Sequence, residues 1–143
     1  MGVLHHTDYA GSLHCQLTHE PSGSTIETDA PKDNAGKGEA FSPTDLLAAA
    51  LASCAITTMA IKAPREGVPF STARATVEKI MTTEGLRRVA RLRLAISLPE
   101  DIPTSARPRL EEIARTCPVS SSLSPGVAVD FEFAYGSLEG SER

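Results

Sequence analysis

A long, mostly apolar stretch, FSPTDLLAAALASCAITTMAIK at residues 41–62, constrains the fold of this chain more than any other feature. It opens with helix-start signals, because Ser42 is a preferred N-cap residue and Asp45 completes an S-x-x-D capping box. No side chain within residues 46–61 is charged, and apolar residues fall on nearly every face. Such a helix has to be buried. The sequence therefore predicts a buried helix that carries Cys54 near its middle.

Length and charge limit the classes of protein to consider. The 143 residues fit a single domain, with a core at about residues 8–135 and a polar tail at 136–143. The formal net charge of -4 gives no reason to expect nucleic acid or an anionic membrane as a partner. The uncharged run of sixteen residues is shorter than a usual membrane span and contains Ser53, Thr57 and Thr58. Since no signal-peptide pattern is present, we expect a cytoplasmic protein without membrane association.

Alternating apolar and polar residues predict strands on both sides of the long helix. The segment 86–98 has the clearest pattern, because leucines alternate there with Arg91 and Arg93. We expect these arginines, with Arg87, to lie on a solvated or interface face. A loop at 31–40 leads into the helix. The predicted strands are 11–19, 24–30, 70–83, 86–98 and 127–135, with a hairpin turn near Glu84 and Gly85.

A second, amphipathic helix is predicted at 105–116, where Leu110 and Ile113 share a face with Cys117. Pro118 stops or bends the chain directly after this cysteine. The pattern predicts an α+β fold with an antiparallel sheet, one wholly buried helix and the amphipathic helix. Because one sheet covers only one side of an all-apolar helix, we expect a homodimer with the long helix at or near the interface.

Three widely spaced cysteines make neither a disulfide framework nor a zinc site. Cys54 and Cys117 are either working thiols or small core residues, and periodicity alone favours core residues. Their spacing does not show that they are close in space. Cys15 lies on the apolar face of a predicted edge-like strand and is assigned to the core. The four histidines lack the spacing of metal ligands, so no metal is expected.

Two motifs resemble those of the osmotically inducible protein C and organic hydroperoxide resistance (OsmC/Ohr) family. The first is FSPTDLLAAALASCAITTMAI, a proline-led helix with Cys54, and the second is RTCPVSSSL around Cys117. The segment TDAPKDNAGKGEAFSPTDL further resembles a divergent branch of that family. The resemblance extends over about residues 8–135. It implies an intertwined homodimer in which antiparallel sheets wrap around long buried helices, with active sites at the subunit interface.

The resemblance also implies an activity. In such a protein Cys54 attacks an organic or fatty-acid hydroperoxide and becomes a sulfenic acid, and Cys117 captures it as a disulfide. An external dithiol, often a lipoyl protein, then restores both thiols, and no cofactor is needed. The logic agrees with thiol chemistry, because a thiolate is the attacking species and a second thiol prevents over-oxidation. An apolar wall around Cys54 would favour apolar peroxides over hydrogen peroxide.

The sequence departs from the family where the thiolate is activated. The family supplies an arginine before the helix, held by a glutamate after the helix-start proline, whereas here Thr44 follows the proline and no arginine precedes Arg65. Lys37, Thr44 and Asp45 remain as candidates for activating the thiolate. An alternative function is therefore a dimer of the same fold that binds a small apolar ligand or senses redox state.

Overall fold

The computed structural model describes residues 1–136 of the chain. It forms two compact units, the first ending at Leu47 and the second beginning at Ala48, and each is described by itself. The predicted polar tail at 136–143 lies, apart from Gly136, outside the described residues. The predicted single domain stays a prediction.

The first unit contains a three-stranded antiparallel sheet with β2 in the centre. Its strands are β1 (His5–Gly11), β2 (His14–His19) and β3 (Thr25–Asp29). β2 and β3 confirm the two predicted strands, but Cys15 lies on the central strand and not on an edge. β1 is not predicted by the sequence, because six of its seven residues are exposed and no alternating burial marks it.

Helix α1 (Pro43–Arg65) confirms the predicted long helix and extends slightly beyond it, through Pro64. The expectation that the helix is wholly buried is wrong for the single chain. Its buried residues form one stripe, and Ile61, away from that stripe, is 49% exposed. A stripe at this spacing is one helical face packed against a core. The buried residues are Ala48, Leu51, Ala55, Met59 and Ala63.

Length and hydropathy alone do not distinguish α1 from a membrane span. Within residues 1–136 it is the one helix long and apolar enough to cross a membrane, with a mean hydropathy of 1.7 over its most apolar window. The core helix of a soluble protein has the same properties, so this observation is weak support for a membrane segment.

The second unit contains a sheet in which β5 (Val89–Leu98) lies between β4 (Arg74–Met81) and β6 (Ala128–Tyr135). β4 and β5 form the predicted antiparallel hairpin, and its turn includes Gly85 at a φ of 74°. β6, however, pairs parallel with β5, so the sheet is mixed and not antiparallel as predicted. The pairing is parallel because helices connect β5 to β6, and a crossover of this kind lets the second strand run in the same direction as the first.

Two helices form this connection. Helix α2 (Arg107–Arg115), preceded by a 3-10 turn, confirms the predicted amphipathic helix and buries Leu110, Ile113 and Ala114. Helix α3 (Pro118–Ser122) follows at once and is not predicted, because Pro118 suggests a helix end when it in fact opens a new helical turn.

Arg91 and Arg93 lie on the face of the second sheet opposite its core residues, as predicted, whereas Arg87 is exposed in the turn before β5. Arg91 donates two hydrogen bonds to the carboxylate of Asp130, at 2.9 and 2.7 Å, and Arg93 pairs with Glu78 at 3.4 Å. These side chains are roughly half exposed, so the pairs stabilise the fold only slightly. The opposite face carries the core residues Leu92, Leu94, Ile96 and Leu98.

Candidate active site

The N-terminus of α1 is held by the predicted capping box. The backbone N–H of Asp45 donates to Ser42 Oγ at 3.0 Å, and the Asp45 carboxylate accepts the backbone N–H of Ser42 at 2.9 Å. Thr44 Oγ1 lies 3.3 Å from Ser42 Oγ. These reciprocal bonds satisfy two of the amide groups that a helix start leaves without partners. Thr44 and Asp45 thus both contact the cap residue.

Cys54 lies on α1, between the buried stripe and the exposed face, and is partly exposed. Its Sγ accepts a hydrogen bond from the backbone N–H of Val119 at 3.4 Å. The hydroxyl of Thr58, one helical turn further along α1, lies 3.8 Å from the same sulfur. The sulfur is therefore in contact with two polar groups that are able to donate hydrogen bonds.

Cys117 lies at the junction of α2 and α3 with a relative exposure of 0%. Its backbone is extended (φ −62°, ψ 158°), and it serves as the N-cap residue of α3. The carbonyl of Cys117 accepts the backbone N–H of Ser121 at 2.9 Å, which closes the first turn of α3. The change of direction between the two helices turns the thiol inward and brings the Val119 amide to Cys54.

An ion pair joins α2 to the end of α1. Arg109 on α2 donates to both carboxylate oxygens of Glu66, which follows α1 directly, at distances from 3.0 to 3.3 Å. The hydrogen bond from Arg109 lowers the pKa of the Glu66 carboxyl from its usual value. The contact ties the helix that leads to Cys117 to the helix that carries Cys54.

Cys117 lies two residues before Val119, whose amide contacts the Cys54 sulfur, so the two cysteines belong to neighbouring parts of one site. Burial raises the pKa of the Cys117 thiol, the backbone N–H groups of Ser120 and Val119 oppose this, and the hydrogen bond and charge of Cys54 raise it further. The raised pKa favours the protonated form of Cys117, and both cysteines are free in this structure.

The other predicted site residues belong to the first unit. Lys37 lines a concavity of about 290 Å³ that also includes the buried Asp29. The role of Lys37, Thr44 and Asp45 in activating the Cys54 thiolate stays a prediction. Within residues 1–136, no group of three or more histidine, cysteine or acidic side chains is arranged to hold a metal ion.

Sequence reasoning missed two groups of the site. Thr58 follows Cys54 by four residues, a spacing that places both on one helical face, so its position is visible in the sequence but its contact with the sulfur is not. Val119 contributes through its backbone, and no sequence pattern indicates that its amide meets a residue 65 positions away.

Comparisons with known proteins agree with this architecture. A family model described as OsmC-like protein matches residues 36–132. A protein of Psychrobacter arcticus, described as an osmotic stress induced and detoxification response protein, is 37% identical. Its structure superposes with a TM-score of 0.85 over 93% of this chain and 97% of that one. No curated protein matches the sequence significantly.

More distant structures share the fold. An organic hydroperoxide resistance protein OsmC of Legionella pneumophila is 17% identical, with a TM-score of 0.75 over 94% of this chain and 97% of its own. An organic hydroperoxide resistance protein of Elizabethkingia anophelis is 14% identical, with a TM-score of 0.77 over 95% and 97%. At these identities the likeness establishes the α+β fold, with two three-stranded sheets and helices, and nothing further.

Proposed function

This chain belongs to the OsmC-like protein family, and from that premise we propose that it is a thiol-dependent peroxidase for organic or fatty-acid hydroperoxides. The observation that carries the proposal is that α3, whose N-cap residue is Cys117, contacts the Cys54 sulfur, since the backbone N–H of Val119 donates to Cys54 Sγ at 3.4 Å. The names of two structural relatives, organic hydroperoxide resistance proteins, point to the same substrate class.

The first step oxidises Cys54. Its thiolate attacks the terminal oxygen of the hydroperoxide, an S–O bond forms and the O–O bond breaks. The sulfur loses two electrons and becomes a sulfenic acid, while the alkoxide leaves and takes up a proton to become an alcohol. The partial exposure of Cys54 gives a peroxide access to the sulfur.

The second step uses Cys117. Its sulfur attacks Cys54, an S–S bond forms, the S–O bond breaks, and the hydroxyl leaves as water with the Cys117 proton. Full burial protects Cys117 from direct reaction with the peroxide, so it acts only after Cys54 is oxidised. An external dithiol, with a lipoyl protein as the expected donor, then supplies two electrons and regenerates both thiols. The cytoplasm suits this cycle because dithiols stay reduced there.

Apolar surroundings favour apolar peroxides. The helix that carries Cys54 has no charged side chain from residue 46 to residue 61, and the exposed residues Ala50 and Ile61 add apolar surface to it. Alkyl hydroperoxides gain from contact with such a surface, whereas hydrogen peroxide does not. We propose a homodimer, because the exposed face of α1 has no charged side chain from residue 46 to residue 61 and includes Ile61, which is about half exposed.

Steady-state turnover tests the proposal. The reduced protein is mixed with cumene hydroperoxide or tert-butyl hydroperoxide and dihydrolipoamide, and peroxide consumption is followed. We expect sustained turnover that Cys54→Ser abolishes and Cys15→Ser leaves unchanged. Cys117→Ser should accumulate a sulfenic acid that dimedone traps. Turnover no faster than that of Cys54→Ser would overturn the peroxidase function.

One observation favours a second function, a redox sensor or apolar-ligand binder of the same fold. The chain lacks an arginine before Arg65 and has Thr44 where the resemblance implies a glutamate. A weakly activated Cys54 would oxidise slowly, with one disulfide per chain and little turnover. In the same assay, stoichiometric formation of the Cys54–Cys117 disulfide without continued peroxide consumption would support the sensor.

A further inference from the structure

A working Cys54 needs a means of stabilising its thiolate. A thiol reacts with peroxides as the thiolate, and a thiolate among apolar groups requires a cation or hydrogen-bond donors. This sequence has no arginine before Arg65. The residues that contact the Cys54 sulfur are therefore the first place to look for the stabilising groups.

We propose that Thr58 is a catalytic residue, whose hydroxyl donates a hydrogen bond to the Cys54 thiolate together with the backbone N–H of Val119. The inference rests on the proposed function, in which Cys54 is the nucleophile. It is carried by two distances to Sγ, 3.8 Å from Thr58 Oγ1 and 3.4 Å from the Val119 nitrogen.

The direction of both hydrogen bonds follows from the chemistry of the ionised sulfur. A thiolate has no proton and acts only as an acceptor, so the Thr58 hydroxyl has to be the donor once Cys54 is ionised. The Val119 amide is a donor in any state. Hydrogen bonds to a charged acceptor are about twice as strong as neutral ones, so both contacts favour the thiolate over the thiol.

Helix geometry holds the Thr58 hydroxyl in place. Residues four apart on a helix lie one above the other, which puts Thr58 beside Cys54 on α1. Its branched side chain has few rotamers, so little freedom is lost when the hydroxyl points at the sulfur. Thr58 is only partly exposed, which limits competition from water, whereas its neighbour Thr57 is exposed.

The Val119 amide links activation to the second step of the cycle. Val119 follows Cys117 by two residues, in the first turn of α3. The same turn therefore presents an amide to the Cys54 sulfur and holds the thiol that later attacks it. The Val119 amide belongs to the backbone, so a side-chain substitution does not remove it. The Thr58 hydroxyl is the hydrogen-bond donor that a substitution can remove.

Alkylation of Cys54 measures thiolate stabilisation without any peroxide. The full-length reduced protein is treated with iodoacetamide over a range of pH, and the adduct on Cys54 is quantified by peptide mass spectrometry. Thr58→Val keeps the shape of the side chain and removes the hydroxyl. We expect its alkylation rate at pH 7 to fall about tenfold, because the thiolate loses a hydrogen-bond donor, and the alkylation rate to rise only at higher pH than in the parent. Thr58→Ser, which keeps the hydroxyl, should stay close to the parent.

Thr57→Val is the matched control, because it makes the same change on the next residue, which is exposed. A folded Thr58→Val with the parent's alkylation rate would overturn the inference. If that variant does not fold, equal rates for Thr58→Ala and Thr58→Ser would overturn it instead. The two outcomes are distinguishable, since a Thr58 effect on alkylation without peroxide turnover would support the hydrogen bond to the Cys54 thiolate and overturn the peroxidase.

Discussion

Cys117 is fully shielded from solvent, and Cys54, with which it interacts, is partly exposed. The two thiols are chemically unlike for this reason. Burial and the neighbouring Cys54 raise the pKa of Cys117, so its sulfur is protonated and out of reach of reagents. An asymmetric pair of this kind suits a division of labour in which one thiol attacks and the other resolves.

The first prediction is an order of alkylation. In the native reduced protein at pH 7, iodoacetamide should modify Cys54 well before Cys117, at least tenfold faster, because only a thiolate reacts and the raised pKa keeps Cys117 protonated. Mass spectrometry of the two peptides over time provides the measurement. In guanidinium chloride the two rates should become similar. Equal rates in the native protein would show that the two thiols are not distinguished by burial.

The second prediction concerns stability at alkaline pH. Burial, and then the hydrogen bond from Tyr135 to Glu111 at 2.9 Å, raise the pKa of Tyr135 above its ordinary value of 10.0. A raised pKa means that the folded chain holds the proton more strongly than the unfolded chain. The contribution of Tyr135 to the free energy of unfolding is therefore complete at pH values below 10. It is lost as the pH rises above 10, because the unfolded chain then releases the proton while the folded chain still holds it.

Urea unfolding at pH 8 and pH 10.5 checks this relationship. The free energy of unfolding should fall more steeply between these values for the parent than for Tyr135→Phe, which has no proton to release. Tyr9→Phe is the control, since Tyr9 is 67% exposed and its removal should leave the parent's slope unchanged. Identical slopes for the parent and Tyr135→Phe would contradict the assignment.

The third prediction tests the start of α1. Ser42→Ala removes the side-chain oxygen that accepts the Asp45 amide at 3.0 Å, and Ser42 itself is buried. Loss of an N-cap side chain costs about 1 kcal/mol of unfolding free energy, with about 2 kcal/mol as the upper end. Denaturant titration measures the loss. Ser71→Ala, an exposed serine outside the helices and strands, should change stability by less than about 0.5 kcal/mol. A Ser42→Ala variant as stable as Ser71→Ala would mean that the cap contributes nothing.

Local signals in the sequence predict much of this fold. The start of α1 and the strands β4 and β5 follow from a capping box and from strong alternation, and the structure confirms them, whereas α1 continues past its predicted end through Pro64. Two features escape such reasoning for physical reasons. β1 is exposed along nearly its whole length, so its sequence lacks the alternation of apolar and polar residues that marks a half-buried strand. The parallel pairing of β6 depends on where the crossover helices place the strand, which no local pattern records.

The candidate site is visible in the sequence only in part. The motifs single out Cys54 and Cys117, but their spacing along the chain does not show that they meet, because the meeting depends on how α2 and α3 pack. The contact between Val119 and Cys54 is of the same kind, since a backbone amide carries no sequence signature. For Thr58 the sequence shows the four-residue spacing from Cys54, but it does not show that the hydroxyl contacts the sulfur.

The last prediction concerns the assembly of two chains. α1 buries one stripe within the chain and leaves its other side open, where Ile61 is 49% exposed on a helix without charge over most of its length. If a second copy covers this side, Ile61→Arg places a charge in an apolar interface, where an unpaired charge is very unfavourable. We expect the parent to sediment as a dimer at micromolar concentration and Ile61→Arg to sediment as a monomer. Leu86→Arg is the control, because Leu86 is 84% exposed at the β4–β5 turn and its replacement should leave the dimer intact. A parent chain that sediments as a stable, folded monomer would contradict the dimer and leave the apolar side of α1 without a partner.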